Sequence, residues 1–148
     1  MTDMPAQDGV HLWLVLMKAH RAMRAHAEAN MRSLGICFSD FAVLEVLLHK
    51  GPLPVNTIGG LIHLTSGSIT TAIDRLEAKG LVSRVIADAD RRARMVHLTD
   101  SGRILIEDAF AEHAAALDRA AGGLSAAERD ELTNLLKKLG RFAETSLS

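Results

Sequence analysis

Apolar positions recur at helical spacing from Val10 to about Ser33, through Leu12, Leu16, Ala19, Met23, Ala27 and Met31. That period reads as one long amphipathic helix, ended by Gly35. Ser39 is a good N-cap for the next helix, and Asp40 falls in its first turn, where negative charge suits the helix dipole. Phe38 and Val43 occupy the positions of a hydrophobic staple. This helix runs through Phe41, Leu44, Leu47 and Leu48 to Lys50, where Gly51-Pro52 stops it. A short helix follows from about Val55 to Ile62. Its Gly59-Gly60 pair weakens it by roughly 1 kcal/mol per glycine relative to alanine, so tertiary packing must hold it.

After a turn at His63-Leu64, a helix is predicted from about Ser66 to Lys79, apolar along Ile69, Ala72, Ile73 and Leu76 and closed by Gly80. Leu81–Ile86 is rich in β-branched residues and Met95–Leu98 is a second apolar run. The charged stretch 87–94 between them predicts a hairpin. Thr99 then caps a long helix through Ile106, Phe110 and Leu117 to about Ala121. Gly122-Gly123 breaks it, and Ser125 with Glu128 forms a capping box for a last helix. That helix carries Leu132, Leu135, Leu136, Leu139, Phe142 and Ala143 as a wide apolar stripe. The fold class that follows is mainly α with a small β-hairpin wing.

At 148 residues the chain is one domain's worth, here 1–148. No apolar run approaches the ~20 residues of a membrane span, and the N-terminus lacks the basic region of a secretory signal. The single cysteine, Cys37, excludes an internal disulfide and fits a reducing, cytoplasmic setting. The formal net charge of −1 counts against nucleic-acid binding only if charge is evenly spread. From Thr65 to Thr99 there are six basic residues against four acidic ones, so this segment is locally positive.

Two short helices joined by a tight turn, then a charged hairpin, make the plan of a winged helix-turn-helix spanning 39–99, with recognition helix 66–79 and wing 84–98. Major-groove entry needs small polar side chains on the exposed helix face, and Ser66, Ser68, Thr70, Thr71 and Arg75 supply them. Thr65 and Ser66 at the helix N-terminus suit a phosphate. A cationic wing reaches phosphates or a narrow minor groove, and Arg84, Arg91, Arg92 and Arg94 are its candidates. The pattern asks for no cofactor. It shows no nucleophile–base pairing of an enzyme, since Asp88 and Asp90 lie on a wing rather than in a cleft.

The run from Asp88 through Arg91, Arg92, Arg94 and Thr99 to Gly102 resembles the wing signature of the MarR family of bacterial regulators. The run from Leu64 to Val82 resembles that family's recognition helix and its exit. The stretch Phe41–Pro52, with Thr65–Thr70, is most similar to a branch that answers hydroquinones and related aromatics. The resemblance implies a homodimer whose terminal helices, 9–34 and 100–146, interleave. It implies double-stranded operator DNA as partner, no membrane, and release by a small effector.

By family position, Ser66, Ser68, Thr70 and Thr71 meet the major groove, and Arg75 holds phosphate or braces the wing. Arg94 anchors the wing, Arg91 or Arg92 reaches the minor groove, and Asp90 shapes the loop. Ala89 departs from the proline often found at the wing's start. If Arg75, Arg94 and one or two of Arg84, Arg91 and Arg92 act in each subunit, the dimer neutralises roughly 6–8 phosphates, for a salt slope on the order of −5 to −7.

An effector pocket between the first, second and post-wing helices would draw on Trp13, His20, His26, Phe41, Phe110 and His113. The alternatives are metal or thiol sensing on the same fold, or a winged-helix module that docks a protein. Seven histidines invite a metal, but no CxxC or HExxH occurs and His113 has no well-placed helical partner. Cys37, in apolar company between Ile36 and Phe38, reads as a small hydrophobe.

Overall fold

The computed structural model describes residues 8–86 and 94–147. Within them the chain forms α1 (Asp8–Ser33), α2 (Phe38–Lys50), β1 (Leu53–Pro54), α3 (Val55–Leu61) and α4 (Ser66–Ala78). There follow β2 (Val82–Ile86), β3 (Arg94–Leu98), α5 (Asp100–Ala120) and α6 (Ala126–Thr145). The fold is mainly helical, with a small antiparallel sheet in the order β1-β3-β2.

The core is built around α2. Phe41, Val43, Leu44 and Leu47 of that helix meet Ile69, Ala72, Ile73 and Leu76 of α4, Ile106 and Ala109 of α5, and Val82 and Val96 of the sheet. Gly59 is buried in α3, and a Cβ there would lie 3.1 Å from Ile69 Cγ2. The glycine that weakens α3 as an isolated helix is therefore what lets it close on α4. α3 and α4 join through a turn in which His63 has φ 57° and the Leu64 N–H donates to the Gly59 carbonyl at 2.9 Å.

Two helix starts, at Thr99 and Ser125, follow the predicted chemistry, and Thr65 adds a third cap. Thr65 and Thr99 each accept a hydrogen bond from a backbone N–H of the first turn, and Ser125 with Glu128 forms a complete capping box. The second helix differs from expectation. It begins at Phe38 with Cys37 in the cap position and no side-chain cap. Ser39 is inside the helix, drawn instead toward Arg75. Phe38 makes no staple, since it stays exposed beneath the Arg24 guanidinium, which lies 5.2 Å from its ring centre.

The sheet has one strand more than the predicted hairpin. β1 pairs Leu53 with Val96 and Pro54 with Met95. A two-residue edge strand containing proline gives no alternating pattern to read, although an edge is where proline is tolerated. β2 and β3 pair from Val82–Leu98 out to Ile86–Arg94, so 87–93 lies beyond the last described pair.

α6 has no buried residue, and α1 buries only Ala27 and Met31. The predicted stripe of α1 continues past the core. Leu16, Ala19 and Met23 line an apolar groove of about 570 Å³ with Leu124, Leu132 and Leu136. A second groove of about 370 Å³ joins Leu12, Trp13 and Leu16 to Leu136, Leu139 and Ala143. No helix among the described residues is long and apolar enough to cross a membrane.

Candidate nucleic-acid interface

Four apolar side chains bury one face of α4, which leaves Ser66, Gly67, Ser68, Thr70 and Thr71 exposed on the other. The two faces separate because apolar positions 69, 72, 73 and 76 follow the helical period. Thr65 ties the helix start: its Oγ1 accepts from the Ser68 N–H at 3.2 Å and donates to Ser68 Oγ at 2.9 Å. Thr70 Oγ1 donates to the Ser66 carbonyl at 2.8 Å, and Thr71 Oγ1 to the Gly67 carbonyl at 2.9 Å. With their protons turned to the backbone, both threonines offer outward lone pairs and a methyl group. Those suit an exocyclic amino group and a thymine methyl at a base edge. Ser39, Thr65, Gly67, Ser68, Thr71 and Arg75 line one shallow concavity of about 520 Å³.

Arg75 lies on this stripe, yet its guanidinium is held from behind. It donates from Nε to both Asp40 oxygens, at 3.0 and 3.1 Å, and from Nη2 to Asp40 Oδ1 at 2.5 Å. Ser39 Oγ accepts from the same nitrogen at 3.4 Å, and Cys37 Sγ is 3.7 Å from it. Lys79 Nζ reaches Asp40 at 3.8 Å. The hydrogen bond to Asp40 raises the Arg75 pKa further above its already high ordinary value, against a smaller desolvation effect. Among the described residues Arg75 pairs with α2 and not with the wing strands, and its charge is already partnered by a carboxylate that is 1% exposed.

The wing brace is Arg84. Its backbone N–H and Nη1 bind the Glu77 carboxylate at 3.0 and 3.1 Å, and Nη2 binds Asp74 at 2.5 Å. Arg84 thus reaches back to α4, so its charge is already shared with Asp74 and Glu77. The spacing alone hid this, because β2 returns antiparallel beside the helix and brings 84 against 74 and 77. Arg94 is exposed at the base of the wing, opposite Ile86. Asp90, Arg91 and Arg92 lie outside the described residues.

The six proposed effector residues do not form one site. Phe41 and His113 pack at a tilt of 50° between α2 and α5, with ring centres 4.7 Å apart. Phe110 packs edge-on at 4.7 Å against His49, which the sequence reading had passed over. His113 is buried, and its Nδ1 has no hydrogen-bond partner among the described residues; the same holds for Asn30 Oδ1 of α1. Trp13 and His20 belong instead to the α1–α6 grooves. His26 is exposed in a separate depression among Ala22, Ala25 and Ala29. Along a helix that rises about 1.5 Å per residue, Trp13 and His26 stand roughly 20 Å apart on α1, too far to line one pocket together. Among the described residues no group of three or more His, Cys, Asp or Glu stands where it would hold a metal. Cys37 is exposed.

Comparison with known proteins gives a consistent pattern. The profile of the MarR family matches residues 39–93. The chain is 38% identical over 138 residues to the HTH-type transcriptional regulator MhqR of Bacillus subtilis (strain 168), covering 93% of this chain and 95% of that protein. Among solved structures, BpsR of Bordetella bronchiseptica, whose DNA binding is regulated by 6-hydroxynicotinic acid, is 25% identical. It aligns with a TM-score of 0.80 over 93% of this chain and 98% of that one. A MarR variant of E. coli complexed with operator DNA, 23% identical, shares the fold with a TM-score of 0.79 over 89% of this chain and 95% of that one.

Proposed function

This chain belongs to the MarR family of DNA-binding transcriptional regulators, and from that premise we propose that it is a homodimeric, cytoplasmic repressor released by a small aromatic effector. α4 enters the major groove of a pseudo-palindromic operator, and the wing follows the backbone, with half-sites about one helical turn apart. The observation that carries this reading is the hydroxyl face of α4, fully exposed above an apolar face that fixes the helix on the core. Dimerisation falls to α1, α5 and α6, whose apolar surface one small core leaves uncovered.

The effector reading is supported by the paired rings of Phe41 and His113 and by the unpartnered His113 Nδ1, a polar handle in apolar surroundings. The ligand named for BpsR, a hydroxylated aromatic acid, has the chemistry such a handle would bind.

A mobility-shift assay with the chain's own upstream region tests both halves. The expected result is a discrete shift that a hydroquinone or 6-hydroxynicotinic acid reverses. Absence of any shift rejects the DNA reading. A shift that no aromatic reverses, but that zinc or peroxide does, replaces the effector class with a metal or a thiol.

A further inference from the structure

The apolar contacts that seat α4 are not directional. Ile69, Ala72, Ile73 and Leu76 seat the helix on the core, whereas base reading also asks for directional contacts that fix its rotation. Between α2 and α4, among the described residues, the directional contacts all end on the first turn of α2: Arg75 on Asp40, Ser39 and Cys37, and Lys79 on Asp40. Asp40 itself sits in the core. It is 1% exposed, and the next residue, Phe41, is equally buried and packs at a tilt against His113 of α5. A carboxylate anchored in the core thus holds a planar guanidinium through a fork of hydrogen bonds, a geometry that restrains orientation as well as distance.

We infer that Asp40 is a positioning residue for DNA recognition: through Arg75 it sets the orientation of α4 and keeps one guanidinium per subunit off the phosphates. An ion pair with one buried and one half-exposed partner adds little net stability, because desolvation of the carboxylate offsets its attraction, and its value lies in selecting one arrangement. Ser68, Thr71 and Arg75 share one stripe of the helix. A released Arg75 would therefore swing to the DNA face, where it adds charge that reads no sequence. Asp40 sharpens discrimination by removing that charge and by holding the threonines in register.

This inference rests on the DNA-binding reading above, and the test separates the two. Full-length wild type, Asp40→Asn and Arg75→Lys are titrated with the upstream duplex and with a scrambled duplex over a range of salt, folding being checked by circular dichroism. Asp40→Asn is expected to lose roughly tenfold or more on the upstream duplex. It should hold or gain affinity on the scrambled one, with a salt slope steeper by about two for the dimer. Arg75→Lys keeps the charge but not the fork, and is expected to lose specific affinity without a steeper slope.

A folded Asp40→Asn with the wild-type ratio and slope overturns the inference, as does equal loss on both duplexes at the wild-type slope. If Asp40→Asn does not fold, Arg75→Lys decides: an unchanged ratio of specific to scrambled binding overturns the inference. Wild type that binds neither duplex overturns the DNA reading, and the inference with it.

Discussion

At Gly102 the chain leaves no room for a side chain. A Cβ there would lie 2.9 Å from the Leu81 carbonyl carbon and nearer still to its oxygen, because the first turn of α5 presses on the exit of α4. Thr99 fastens the same junction, donating from its N–H to Leu81 and from Oγ1 to Gly80 at 2.6 Å. Gly102→Ala should therefore cost on the order of 3 kcal/mol in thermal melts, whereas Gly123→Ala, with open space around it, should change little. The sequence displayed this glycine as part of a signature, but the reason for it appears only when residues 81 and 102 are in contact. The same limit governs Arg75 and Asp40, which are 35 positions apart; their types were legible and their pairing was not. Arg94, exposed at the outer end of the described strand pair, has no such internal partner among the described residues. Its replacement by alanine should weaken upstream and scrambled duplexes about equally in anisotropy titrations. Loss confined to the upstream duplex would give it a base-reading role instead.

Elements were most legible where one local interaction decides them. Thr65, Thr99 and Ser125 each fix a helix start within the first turn, and the caps at Thr99 and Ser125 stand where the sequence placed them. The start of α2 moved because a tertiary contact, Arg75 on Ser39, competes for the hydroxyl that local chemistry would use as a cap. β1 was unreadable because two residues carry no period. For α4 the exposed hydroxyls make a direct prediction: Ser68→Ala or Thr71→Ala should cost about 1–3 kcal/mol on the specific duplex and relax its preference. Scrambled DNA should be nearly unaffected in the same titration. For the wing, Arg84 joins β2 to Asp74 and Glu77 of α4 while only 15% exposed. Arg84→Ala should lower stability by about 1 kcal/mol, a modest figure because both carboxylates are largely in solvent.

Across the whole molecule, the apolar stripe of α6 and the N-terminal half of α1 have no cover among the described residues; Trp13 is 58% exposed and Phe142 74%. Single exposed apolar residues are ordinary, but contiguous grooves that share Leu16 and Leu136 are not. Leu136→Glu should leave the winged lobe folded, since Leu136 is outside the core, yet convert a dimer to a monomer in sedimentation equilibrium and abolish operator binding. A dimer that survives the substitution would place the interface elsewhere. The charge balance was the part of the site that sequence counting overstated, because Arg75 and Arg84 spend their charge on Asp40, Asp74 and Glu77. We propose that Arg91, Arg92 and Arg94 of two subunits meet about six phosphates, which places the salt slope near −5. The measurement that bears most directly on the account is therefore the salt dependence of wild-type affinity for its own upstream duplex, followed by fluorescence anisotropy. A linear log–log fall with a slope near −5, together with clear preference over a scrambled duplex, is the predicted result. A slope near zero, or equal affinity for both duplexes at every salt concentration, would contradict it.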